Sequence, residues 1–93
     1  MKPTIDQALD KAVALHNGGN LQAAETLYRA ILQEQPSQPE ANHNIGLLAV
    51  SGGFAEEALP FFMTAIKSSP NTEQFWFSYI DCLIKGQNFE AAQ

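Results

Sequence analysis

The chain repeats itself. Pro36 and Pro70 each close a helical-looking segment, and they stand 34 residues apart. The same interval joins Gly18, Gly52 and Gly86, and it joins Ala24, Ala58 and Ala92. It also relates Tyr28 to Phe62, Leu27 to Phe61, Leu32 to Ile66, and Lys11 to Ile45 to Tyr79. So many columns in register without a gap make this a repeat array, in which each unit leans on its neighbour for cover. The units run over about 3–36, 37–70 and 71–93, so the 93 residues hold two full periods and a third cut just inside its second helix.

Within each period the apolar spacing is helical. Ile5, Ala8, Leu9, Ala12, Val13 and Leu15 recur at three- and four-residue steps, and Thr4 with Gln7 reads as a capping box. Asn17-Gly18-Gly19-Asn20 stops that helix. A second helix follows over about 21–34, with Ala24, Leu27, Tyr28, Ile31 and Leu32 on one face, and Gln35-Pro36 ends it. The pattern then recurs over about 39–51 and 55–68, with breaks at Gly52-Gly53 and Ser69-Pro70. Pro39 suits a first helical turn, where its missing N–H costs nothing. A fifth helix is expected over about 72–85, with Gln87-Asn88 leading into the first turn of a sixth at Phe89–Gln93. Pro60 conflicts with its surroundings, because the fourth helix tolerates it only in its first turn. The fold class is therefore all-α: an α-solenoid of antiparallel helix pairs, with five full helices and the start of a sixth.

Charge and composition narrow the function. Ten acidic residues against five Lys and Arg leave a net charge of −5. That disfavours nucleic-acid partners, which need clustered cations for the phosphates, and membrane surfaces, which favour Lys/Arg-rich polar faces. Met1–Gly19 holds no apolar run of the signal-peptide kind, and the single cysteine, Cys82, has no intrachain disulfide partner. A cytoplasmic location is expected. His16 and His43 stand 27 residues apart without a second His or Cys at helical spacing, so neither a metal nor a cofactor is expected. Cys82 lies among Ile80, Leu83 and Ile84, beside Asp81, which suits a small buried group and not a nucleophile. Glu56-Glu57 point apart on a helix and favour its N-terminus through the dipole. Gly18-Gly19 and Gly52-Gly53 lack the preceding strand and following Lys-Ser/Thr of a phosphate loop. No catalytic constellation is present, so the expected function is binding.

A 34-residue helix–turn–helix period with small residues at fixed places resembles the tetratricopeptide repeat. In the middle unit the family's columns fall on Asn42, Ile45-Gly46, Ala49, Ala58, Phe62, Ala65 and Pro70. In the first they fall on Ala8, Lys11-Ala12, Leu15, Ala24, Tyr28, Ile31 and Pro36, and in the third on Trp76, Tyr79-Ile80, Leu83 and Ala92. Lys11, Ile31 and Ile80 depart from the pattern. The resemblance implies a protein or peptide partner held in a concave groove lined by the first helix of each repeat. By it the groove residues are Leu9, Val13, His16, Glu40, His43, Leu47, Val50, Phe77, Asp81 and Ile84. The carboxylate clamp of chaperone-tail binders is missing, since Leu9, Val13 and Ser78 occupy its columns and only Asn44 matches. The asparagine ladder of the glycosyltransferase type is missing too, its column reading Asp10, Asn44, Ser78. Ala23–Leu32 is similar to repeat segments of bacterial multidomain proteins, some of which precede transferase domains.

The third repeat leaves its apolar side without cover. Phe75, Trp76, Tyr79, Ile80 and Leu83 are expected to form a self-association face, since terminal repeats ordinarily carry a polar cap. The expectation is either a homo-oligomer or a continuation into further repeats.

Overall fold

The structure is a computed structural model of the 93-residue chain; it describes the backbone of residues 2–91 and the side chains of residues 2–86. The described residues form five helices and no strand: α1 (Ile5–Asn17), α2 (Leu21–Glu34), α3 (Pro39–Ser51), α4 (Ala55–Ser68) and α5 (Glu73–Ala91). The bounds of α3 fall 34 residues after those of α1, those of α4 fall 34 after those of α2, and α5 starts 34 after α3.

Local chemistry sets these bounds. The Thr4 hydroxyl accepts from the Gln7 N–H at 3.1 Å while the Gln7 side chain accepts from the Thr4 N–H at 3.0 Å, which is the expected capping box. Pro39 occupies the first turn of α3, and the Gln38 side chain caps it by accepting from the Ala41 N–H at 2.6 Å. At the end of α1 the Gly19 N–H donates to His16 O at 3.1 Å and the Asn20 N–H to Leu15 O at 2.9 Å. At the end of α3 the Gly53 N–H donates to Val50 O at 3.0 Å and the Phe54 N–H to Ala49 O at 2.8 Å. Both stops are Schellman motifs, and both need a left-handed residue: φ is +85° at Gly19 and +89° at Gly53.

The third repeat lacks that residue. Gln87 stands where Gly53 stood one period earlier, and a side chain in the left-handed region costs about 1–2 kcal/mol. The helix therefore runs on: α5 continues to Ala91 and does not end near Lys85. Residues 89–91, expected to open a sixth helix, belong to α5, and residues 92 and 93 lie outside the described ones.

Each helix packs on the next in chain order, and α3 also touches α5. Ala12, Ala24, Tyr28, Ile31, Ala41 and Ile45 form one buried cluster joining α1, α2 and α3. Ala58, Phe62 and Cys82 form a second, and Ala65, Ile66 and Phe75 a third, so α5 is fastened along α4. α3 and α4 approach closely at Gly46. A Cβ placed on Gly46 would lie 2.5–2.9 Å from three ring carbons of Phe62, so no larger residue fits there unless the ring moves. Pro60 is the sixth residue of α4, not in its first turn. Its ring is exposed, as is Glu56, whose carbonyl loses the Pro60 N–H as a partner.

Two variants test this packing. Gly46→Ala is expected to destabilise the fold by about 1–3 kcal/mol, the usual cost of overpacking a filled core. Pro60→Ala should stabilise it by about 2 kcal/mol, the helix gain of about 3 being offset partly by a freer unfolded chain. Urea denaturation followed by circular dichroism measures both, and a Gly46→Ala midpoint equal to wild type contradicts the close-approach argument.

Candidate interaction surface

Four anchors hold α5 in place. Phe75 is 5% exposed and packs against Ala65 and Ile66. Cys82 sits against Ala58 and Phe62, and its S–H donates to the Ala55 carbonyl at 3.1 Å. Trp76 donates its indole N–H to the Pro70 carbonyl at 2.8 Å. Ser78 pairs with His43 of α3, Oγ to Nε2, at 2.7 Å. The Trp76 bond has a counterpart one period earlier, where the Asn42 side chain donates to the Pro36 carbonyl at 3.0 Å and to Gln38 O at 2.8 Å. In each case a side-chain N–H six residues after the closing proline satisfies that proline's carbonyl and fixes the turn. The sequence showed the column, Asn42 and Trp76, but an amide and an indole share no apolar signature that betrays the common bond.

Alongside those anchors α5 presents an apolar and open face, to which Trp76 itself belongs. Trp76, Phe77, Ile80, Leu83 and Ile84 are 42%, 66%, 49%, 40% and 51% exposed. Gln74, Phe77, Ser78, Ile80, Asp81 and Ile84 line a shallow, open depression along the helix. Asp81 is paired with Lys85 at 3.0 Å, so the rim of the depression carries a neutral ion pair.

The expected site residues divide unequally over this geometry. Of the ten groove positions, Glu40, Phe77, Asp81 and Ile84 are exposed, while Leu9, Val13, His16, Leu47 and Val50 are half-buried. Leu9 packs against the first cluster, and Leu47 and Val50 against the second. His43 is buried. It is 3% exposed, its ring centroid 4.7 Å from that of Phe75 and 5.7 Å from that of Phe62. Of the expected self-association face, Phe75 is buried in the core and Tyr79 is half-buried against it, because the side of α5 that faces α4 claims both. Trp76, Ile80 and Leu83 remain outside, joined by Phe77 and Ile84.

Burial also sets the acid–base behaviour of the inner groups. It pushes the Tyr28 phenol up, with the Asn44 side chain pulling it back, and His16 Nδ1 lies 3.3 Å from that hydroxyl. Burial and then the Asp81 charge push the Cys82 thiol up, against a smaller downward pull from Lys85. A protonated, inaccessible thiol is a poor nucleophile. Burial holds His43 below the ordinary imidazole range, against a smaller upward pull from the Asn44 side chain. Among the described residues no group of three or more His, Cys, Asp or Glu is placed to hold a metal ion, and no helix is long and apolar enough to cross a membrane.

The His43 shift predicts a pH dependence. An unfolded imidazole titrates near 6.5, and the folded one titrates lower, so folding favours the neutral ring. The stability it contributes is complete above about pH 6.5 and is lost as pH falls toward and through the folded value. Urea midpoints measured between about pH 7.5 and 5 should fall more steeply for wild type than for His43→Gln. Parallel profiles contradict the assignment.

The chain has no match among known protein families or curated proteins: no protein-family model fits it, and no curated protein aligns with it.

Proposed function

We propose that the chain is a non-catalytic protein-interaction module of the tetratricopeptide kind, and that the outward face of α5 is where it meets a protein partner. One observation carries this reading: five large apolar side chains share one open face of a helix whose other side is buried. Water-exposed apolar surface forfeits about 25 cal/mol per Å², and contiguous patches of this kind mark contact sites. The period, the small residues at Ala12, Gly46, Ala24 and Ala58, and the closing prolines support the repeat reading. In that reading the helix pairs stack as a solenoid and the first helices of the repeats share one surface. Phe77, Asp81 and Ile84 are the exposed part of it on α5, and Glu40 is its exposed residue on α3.

The partner surface is tested by a photo-crosslinking residue placed at Phe77 and, separately, at exposed Arg29 of α2, in cells that make the protein. Protein adducts are expected from position 77 and not from position 29. Equal adducts from both, or none from 77, overturn the proposal.

A further inference from the structure

A helix with one buried side ordinarily turns polar residues outward. The five exposed apolar residues of α5 instead fall within about 120° of its circumference, at 100° per residue. Among the described residues Glu73, at the start of the helix, is the only charged one on that arc. Their spacing has a second regularity. Trp76, Phe77, Leu83 and Ile84 lie four before, three before, three after and four after Ile80. Such a pattern is self-complementary under a two-fold axis through Ile80. An antiparallel second helix brings its Ile84 against Trp76, its Leu83 against Phe77, and its own Ile80 against Ile80.

The area suits this pairing. At the exposures given above the five side chains leave roughly 500 Å² open on each molecule, so two faces together bury roughly 1,000 Å², the lower limit for a specific interface. The contact between α3 and α4 shows what does not fit. There an aromatic ring lies against a glycine with no room for a Cβ, whereas the corresponding position on α5 is Ile80. A covering helix that carried an aromatic as α4 carries Phe62 would collide with it. Aliphatic side chains interdigitating at an 8–10 Å helix separation do not.

We infer that the open face of α5 is the interface between two copies of this chain, their α5 helices antiparallel and centred on Ile80. The inference rests on the reading of that face as a contact surface and names its occupant. Each copy carries a net charge of −5, so the copies repel at long range and added salt strengthens the pair.

Sedimentation of the full chain between about 1 and 200 µM tests it, with the emission of the single tryptophan, Trp76, followed in parallel. The expected result is a monomer–dimer equilibrium that tightens with salt and shifts Trp76 emission to the blue. Ile80→Lys and Ile84→Lys, both at exposed positions that leave the helix content unchanged, should each weaken dimerisation at least tenfold. In a Cys82→Ala background, a mixture of Phe77→Cys and Leu83→Cys chains should form disulfides several-fold faster than either alone. A folded monomer throughout, or dimers indifferent to both lysines, overturns the inference, and equal disulfide rates overturn the antiparallel arrangement. If the monomer result comes with adducts to another protein from position 77, the contact surface stands and only its occupant is wrong.

Discussion

The Phe62 ring lies against bare backbone at Gly46, and this contact fixes how close α3 and α4 approach. Phe62 also meets His43 of α3 and belongs to the cluster that holds Cys82 of α5. One aromatic thus connects the helix before it, its own helix and the helix after it. The first repeat solves the same problem with Ala12, Ala24 and Tyr28, all fully buried. An aromatic beside residues with little or no side chain fills the space between two helices while letting their backbones come near. Each helix has its neighbours in chain order as packing partners, so each such contact sets the spacing of one adjacent pair.

The turns are held by equally local means. Two glycines in the left-handed region end α1 and α3, and side-chain N–H groups of Asn42 and Trp76 tie down the proline carbonyls between repeats. The exposed ion pairs Arg29–Glu25 and Lys85–Asp81 join residues one helical turn apart. Such pairs contribute at most about 0.5 kcal/mol each, so packing and capping, not surface charge, determine the fold. The consequence appears where one device is missing. With Gln87 in place of the second glycine, α5 is 19 residues long where α3 has 13. Among the described residues the chain therefore stays helical past the point where α3 stops.

On the apolar side of α5, Trp76, Phe77, Ile80, Leu83 and Ile84 are exposed together, while the other side of α5 packs on α4. His43 lies behind this face, joining α3 to α5 through Ser78 and tilted against Phe75. The support of the surface is therefore internal.

Periodicity made the helices legible: their number to the fifth, their caps at Thr4 and Pro39, and the stops at both double glycines all follow from residues in sequence, because capping and left-handed turns are local chemistry. The burial of Tyr28 and Phe62 was legible for the same reason, as an aromatic column recurring on one helical face, whereas that of Cys82 was read from apolar neighbours, Ile80, Leu83 and Ile84, that are themselves exposed. What lies outside that reach needed the fold. His43 and Leu9 both fall on columns of the first helices, yet one is buried between two aromatics and the other only half-covered. Phe75 and Trp76 are adjacent aromatics, one in the core and one outside, since 100° of helical rotation separates them and only the position of α4 decides which is covered. The sequence by itself determined a 34-residue helical repeat with an apolar third unit, because spacing along the chain dictates which residues share a helix face. The tertiary structure alone decided which of those faces stays open, because cover comes from residues distant in the chain.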